Sequence, residues 1–593
     1  MNKIPDRLNA LRQVMLSYGL DAWFISGSDP HASEYLPDSW KIREFISGFT
    51  GSYGTVIITH QEACLWTDPR YFIQAENELK GTEFKMLKLR TLYAVTPESW
   101  LKASLKPGSK VGFDPQTLTV NRFHMMQKSL QNTGIELVDV TDPFGKIWKN
   151  RPEKSGGPIF EVPETQTGIS RSEKMERMEE ILINQKADYL IINALDETAW
   201  AFNLRGSDIP YNPVFLSYAI IGRNSRILFS DLNNMPLPLK LQLKEEKIEC
   251  MEYNRFFPYL ETIRDKHVLI DPSTASYAMF NTLQNNNVVR EKKSFVAQMK
   301  AIKNRTEQEG FRQAMKKDGA ALVEFLYWLQ QNITDGKVNE YAAGRKLAEL
   351  RSRQKDYMGE SFPSIFGYKE HGAMIHLSVE PDNALPLEPE GILLFDSGAH
   401  YLQGTTDITR TVALGKVSNQ QKTDFTLVLK GMIALTQARF PEGTKGCNLD
   451  ILARQPLWEN GLNYGHGTGH GVGHILFVHE GPVSIRQEYT DMSLMPGMVL
   501  SNEPGIYREG EYGIRIENIL LCVEKEKTPF GTFLGFETLT LCPIDTKLID
   551  LSLMNTREKK WLNDYHAQVK EELTPWLKPS LNKYLAELTE KID

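Results

Sequence analysis

Residues 465 to 479, GHGTGHGVGHILFVH, carry His466, His470, His474 and His479, four of the twelve histidines in the chain. Imidazole can ligate a metal, carry a proton or donate to an oxyanion, so a cluster of this kind can do chemistry. The spacing of His466, His470 and His474 would stack three rings on one helical face. Glycines at 465, 467, 469, 471 and 473 make that helix unstable and predict a loop instead. No register of these glycines gives G-x-G-x-x-G, and no Lys-Ser or Lys-Thr follows them, which excludes a phosphate-binding loop. Four acids lie where an ionised carboxylate is costly to bury: Asp396 after ILLF, Asp407 between threonine and isoleucine, Glu503 after MVLSN and Glu517 inside IRIENILL. Taken one at a time, such an acid is more often half of an ion pair than a ligand, and Arg410 and Arg515 could each neutralise one. Two arginines cannot neutralise four acids. Two divalent cations can, and a mostly oxygen ligand set with one imidazole suits Mn2+ better than a thiolate-preferring metal. A dinuclear metal site is the expectation.

The elements that must carry these residues are readable from periodicity. Residues 391 to 414 hold two β-rich runs around a polar connection, which predicts a hairpin or adjacent strand pair with Asp396 ending the first strand and Asp407 on the second. Glu503 follows one apolar strand and Glu517 falls inside another. A helix opens with Thr306 and Glu309 spaced as a capping box and carries Phe311, Met315, Leu322, Phe325, Leu326 and Leu329 on one face. A second is capped by Ser418 and Gln421 and is stopped by Pro441-Glu-Gly443. Upstream, a helix with Leu8, Leu11, Val14 and Met15 runs through Gly19 into a strand from Asp21, the start of an α/β unit. Asp188 and Asp196 bracket a later apolar strand with the spacing of Asp21 and Asp29, so two related α/β domains in tandem are expected. They span 1–158 and 159–303, joined by the charged, Pro/Gly-rich linker 149–158, and a third domain occupies 304–593. The basic stretch Arg290 to Arg305 reads as a solvated helix face, and residues 555 to 593 as a charged helical tail.

Composition narrows the function class. A chain of 593 residues with 41% hydrophobic and 24% charged residues is ordinary for a globular protein of several domains. A net charge of -7 and a pI near 6.0 leave no broad basic field, which argues against nucleic acid or an anionic membrane as the main partner. Five scattered cysteines without C-x-x-C spacing predict free thiols in the cytoplasm. The N-terminus lacks the apolar core of a signal peptide, and no run of uncharged apolar residues is long enough to cross a bilayer.

DSGAHYLQGTTDITRT, HGTGHGVGHILFVHEGP, SNEPGIY and GIRIEN resemble the motifs of aminopeptidase P, the Xaa-Pro aminopeptidases of the pita-bread metallopeptidase fold. FISGFTGSYGTVIIT and LWTDPRYFIQAENEL resemble the first domain, and DETAWAFNLRGSDIPYNPVF the second, of the long three-domain form, so the resemblance covers nearly the whole chain. It implies two tandem creatinase-like α/β domains followed by an α+β pita-bread catalytic domain with a C-terminal helical extension. It implies metal ligands Asp396, Asp407, His470, Glu503 and Glu517, with Asp407 and Glu517 bridging two ions, commonly manganese. Asp396 would complete one ion, and His470 with Glu503 the other. His376, His466 and His479 match substrate-handling positions; His474 departs from the family pattern and receives no role, and His371 and His400 are expected at the surface.

The implied reaction is hydrolysis of the bond between an N-terminal residue and proline by a hydroxide held between two metals. Glu503 would serve as general acid/base, and His376 and His479 would stabilise the tetrahedral oxyanion. Proline at the second position leaves the scissile amide without an N–H, so the ring must be recognised by shape. Substrates are then peptides with proline second, and a homodimer is expected. A prolidase on the same catalytic fold and a catalytically dead pita-bread binding protein are the competing readings. Competent residues at all five ligand positions argue against the dead protein, and the duplicated N-terminal part with GTFLGFETLTLCPIDTKLID favours the long aminopeptidase over the prolidase.

Overall fold

The computed structural model describes residues 3–153 and 156–593, so Lys154 and Ser155 of the expected linker lie outside the described residues. The chain divides into two compact units, one of Met1–Val162 with Ile169–Val296, the other of Pro163–Gly168 with Ala297–Asp593.

In the first unit two six-stranded sheets follow one plan. The central strand Ala22–Ile25 pairs antiparallel with Thr55–Thr59 and parallel with Lys110–Phe113; in the second sheet Tyr189–Ile192 pairs antiparallel with Ser217–Gly222 and parallel with His267–Ile270. Both faces of the first sheet are covered, which is why its central strand reads as a continuous apolar run rather than an alternation. Trp23 and Ile25 pack with Leu8, Leu11 and Met15 of helix Ile4–Ser17, while Ala22 and Phe24 pack with Met126 and Leu130 of helix Val120–Leu130. Gly19, at φ 64°, turns the chain from the first helix into the strand. The duplicated aspartates have a physical basis. Asp21 Oδ2 accepts the Lys110 N–H and Asp188 Oδ2 the His267 N–H, both at 2.8 Å, so each acid locks the start of its central strand to the parallel neighbour. Their partners diverge, because Asp29 accepts from the backbone of His31 and Ser33 whereas Asp196 lies in helix Leu195–Ala201.

The second unit is organised around the 28-residue helix Arg305–Asn332, whose Phe311, Met315, Leu322, Phe325, Leu326 and Leu329 are all buried as their periodicity predicts. Its capping box is Asn304 with Glu307, not Thr306 with Glu309. Both pairs have the required spacing, and the earlier one forms because the buried Glu307 carboxylate takes the Asn304 N–H while the Asn304 side chain also donates to Thr167 O. Helix Asn419–Thr436 is capped by Ser418 and Gln421 as expected but ends well before Pro441, which lies in the strand Phe440–Pro441. The basic stretch is not a solvated face throughout: Lys300 and Lys303 are each 2% exposed and face Glu480. The charged C-terminal tail folds as helices Thr556–Leu573 and Pro579–Leu588, and its Leu562, Tyr565, Val569, Leu573 and Leu585 join one buried core with Phe425, Val428 and Met432 of helix Asn419–Thr436.

Two sheets carry the acids. Strand Ile392–Ser397 pairs antiparallel with Ile408–Ala413, setting Asp396 opposite Thr409. A six-stranded sheet includes Gly469–Gly471, Val499–Asn502 and Asn518–Thr528. No helix is long and apolar enough to cross a membrane among the described residues.

Candidate metal centre

Asp396 lies within strand Ile392–Ser397, whereas the other three acids sit at interruptions of strands. Asp407 immediately precedes strand Ile408–Ala413 rather than lying on it, and Glu503 follows Val499–Asn502. Glu517 occupies the break between Tyr512–Arg515 and Asn518–Thr528 instead of a strand interior. The break lets the Glu517 N–H leave its own sheet and donate to Thr409 O at 3.0 Å, which brings Glu517 to the register of Asp396. Likewise the Glu503 N–H donates to Thr468 O at 2.8 Å and ties that acid to the histidine loop.

The loop forms no helix, as its glycines predict, and His470 is the middle residue of the short strand Gly469–Gly471. Its Nδ1 faces Gly471 O at 2.9 Å; with the proton there, Nε2 presents its lone pair to the acids. Nε2 lies 3.5 Å from Asp407 Oδ2 and 3.4 Å from Glu503 Oε1, and Asp407, His470 and Glu517 each offer a ligand atom within 4.8 Å of the others. Asp396 Oδ1 and Glu517 Oε1 are buried with no hydrogen-bond partner. Orphaned anionic oxygens around an imidazole lone pair are what a hard cation would satisfy, so this donor set fits divalent metal.

Electrostatics lead to the same conclusion. Burial, and then the negative charge of Asp396 and Glu503, holds Asp407 well above the usual carboxylate range; burial, and then the charge of Asp407, Glu503 and Asp396, does the same to Glu517. Glu503 is pushed up to about 7 by burial, with Asp396 adding to the rise and Arg515 opposing it. Arg515 donates to Asp396 Oδ2 at 2.5 Å and to the Tyr507 hydroxyl at 2.7 Å. Arg410 does not pair with an acid as the sequence suggested. It donates to the carbonyls of Thr409, Glu517, Cys542 and Pro543, to Asn518 Oδ1 and to the Tyr565 hydroxyl. One guanidinium therefore faces four acids.

The remaining histidines divide. The His479 ring centroid is 4.4 Å from that of His470, and its charge opposes the rise at both Asp407 and Glu503. His466 reaches the centre through a relay, Nε2 to the Tyr507 hydroxyl at 2.8 Å and Tyr507 to Arg515. His376 is half-buried on a segment whose Met374 and Leu377 pack with Leu394 and Tyr507. His474 is a buried prop: Nε2 lies 2.9 Å from Gln403 O and its ring meets Phe311 edge-on. His400 and His371 are not surface residues. His400 is 3% exposed beside Thr405 Oγ1, and half-buried His371 lies 2.8 Å from Glu340 Oε2, which raises its pKa. Sequence reasoning missed Tyr507, Thr409 and Ser501. Thr409 Oγ1 donates to Glu517 Oε2 at 2.8 Å, and Ser501 Oγ to Glu503 Oε1 at 3.2 Å. Each lies within four positions of a ligand candidate, a spacing that could have drawn attention to them.

The profile of metallopeptidase family M24 matches residues 309–524, two creatinase/prolidase N-terminal domain profiles match 7–147 and 150–307, and the C-terminal region of that peptidase family matches 532–592. A probable Xaa-Pro aminopeptidase P of Pyricularia oryzae is 40% identical over 97% of this chain and 96% of its own length. One from Laccaria bicolor is 40% identical over 97% and 91%. The crystal structure of X-prolyl aminopeptidase from Caenorhabditis elegans, described as a cytosolic enzyme with a di-nuclear active site, superposes with a TM-score of 0.96 at 36% identity, covering 100% of both chains.

Proposed function

This chain belongs to metallopeptidase family M24, among the Xaa-Pro aminopeptidases P, and from that premise we propose a residue-level account of its catalysis. The protein is a metalloaminopeptidase that hydrolyses the bond between an N-terminal residue and a following proline, with two creatinase-like domains preceding a pita-bread catalytic domain. We divide it at 1–158, 159–303 and 304–593. Asp396, Asp407, His470, Glu503 and Glu517 would hold the metal. The observation that carries this reading is the excess of buried carboxylate over cation, with two orphaned oxygens at Asp396 and Glu517. Manganese is the metal that the oxygen-rich set favours. The cytoplasm, by likeness to the cytosolic worm enzyme, and a homodimeric assembly complete the proposal.

Two divalent ions, when bound, supply an acidified water as nucleophile and a Lewis acid for the scissile carbonyl. The chain's own groups do the rest. Glu503, held by Ser501, accepts a proton and passes it towards the leaving proline nitrogen. His479 and His376 donate to the carbonyl oxygen as it becomes an oxyanion. His466, fixed through Tyr507, holds the peptide in register.

A peptide series with constant first two residues tests the assignment. The kcat/KM for Xaa-Pro-Yaa and a pentapeptide should equal or exceed that for the Xaa-Pro dipeptide, and Xaa-Ala analogues should remain largely intact. A preference for the dipeptide would make the protein a prolidase and leave the fold and ligands standing.

A further inference from the structure

Behind His479 lies a buried ion cluster for which the reaction has no direct use. Glu480 opens the strand Glu480–Ile485, and its side chain is wholly buried. Oε2 lies 2.7 Å from Lys300 Nζ, while Oε1 accepts a hydrogen bond from Lys303 Nζ; both lysine side chains are at most 2% exposed. Two ammonium groups around one carboxylate in a dry setting contribute little stability beyond what apolar side chains would give. They do fix both carboxylate oxygens, and with them the backbone at position 480.

The same residue is gripped from the ligand loop. Glu480 pairs across the sheet with Gly471, next to His470, where the ladder shifts register. A Cβ at Gly471 would stand 2.3 Å from the Glu480 carbonyl oxygen, and one at Gly473 would stand 3.0 Å from its Oε2. Gly471 is thus required by the place Glu480 occupies, whereas Gly473 is crowded more closely still by Leu476 Cβ and Phe477 O. His479, one residue before it, projects its ring beside that of His470.

We propose that Glu480, clamped between Lys300 and Lys303, is a positioning residue that sets the His479 ring against the substrate carbonyl. The proposal rests on the reading of His479 as an oxyanion-stabilising group. Glu480→Asp keeps the charge that the lysines need and shortens the arm. On an Xaa-Pro-Yaa tripeptide its kcat should fall about tenfold, with metal content by elemental analysis unchanged and KM within about twofold of the parent. In a His479→Ala background the same substitution should change kcat little, because the residue it positions is gone. Should Glu480→Asp not fold, Lys300→Met, which retains the Lys303–Glu480 pair, takes its place in the cycle with the same expected non-additivity. Equal fold losses in the two backgrounds, or an unchanged kcat in the single variant, overturn the proposal. An unchanged kcat in His479→Ala alone overturns the reading of His479, and the proposal with it.

Discussion

Glu517 accepts a hydrogen bond from the Thr409 hydroxyl at one oxygen and has no partner at the other, a state that a buried carboxylate tolerates only near a cation. Without ions Asp407, Glu503 and Glu517 are held above their ordinary pKa, so between 4.5 and about 7 the folded protein keeps a proton on Glu503 that the unfolded chain has released. Raising the pH through that window therefore removes stability from chelated protein. Divalent ions favour the ionised acids and oppose the trend. The melting-temperature gap between Mn2+-loaded and chelated protein should widen by several degrees from pH 4.5 to 7; a gap independent of pH would mean that these acids do not hold the ions. Ligand and stabiliser should also fail differently. His470→Ala should lose metal, whereas His479→Ala should retain it by elemental analysis and lose about 100-fold in kcat. Metal loss in His479→Ala as severe as in His470→Ala would move His479 into the ligand set. The sequence exposed these residues because buried acids and glycine-flanked histidines are chemically conspicuous. It hid the partners: nothing local to Arg410 tells that its guanidinium is absorbed by backbone carbonyls of residues more than a hundred positions away.

At the scale of elements, period and capping chemistry were readable, whereas exact ends depended on contacts made across the fold. The helix Arg305–Asn332 was expected from its apolar face, yet its cap lies two residues earlier than proposed because Asn304 and Glu307 satisfy each other and Asn304 also holds Thr167. Asn304→Ala should cost about 1–2 kcal/mol in chemical denaturation, and Thr306→Ala close to nothing. The reverse order would return the cap to Thr306. The break at Glu517 was invisible for a similar reason. IRIENILL has the composition of one strand, and hydrogen bonds to remote groups divide it, the Glu517 N–H to Thr409 O and Arg410 to the Glu517 carbonyl. Lys300 and Lys303 misled by their charge, since the Glu480 that buries them is remote in sequence.

At the scale of the molecule, the repeated sheet plan was legible from two aspartate spacings, because each repeat needs an acid to fasten its central strand to a parallel neighbour. Those domains carry none of the ligand candidates, and the chemistry of the whole chain converges on the centre between His470 and the four acids. Two divalent ions held there make the chain an Xaa-Pro aminopeptidase. The most direct measurement is to chelate the protein exhaustively, verify by elemental analysis that it is metal-free, and titrate Mn2+ while following release of the first residue from an Xaa-Pro-Yaa peptide. Activity should be absent at the start, rise with added metal and level off at about two equivalents per chain. Cleavage at the normal rate by verified metal-free protein would contradict the account.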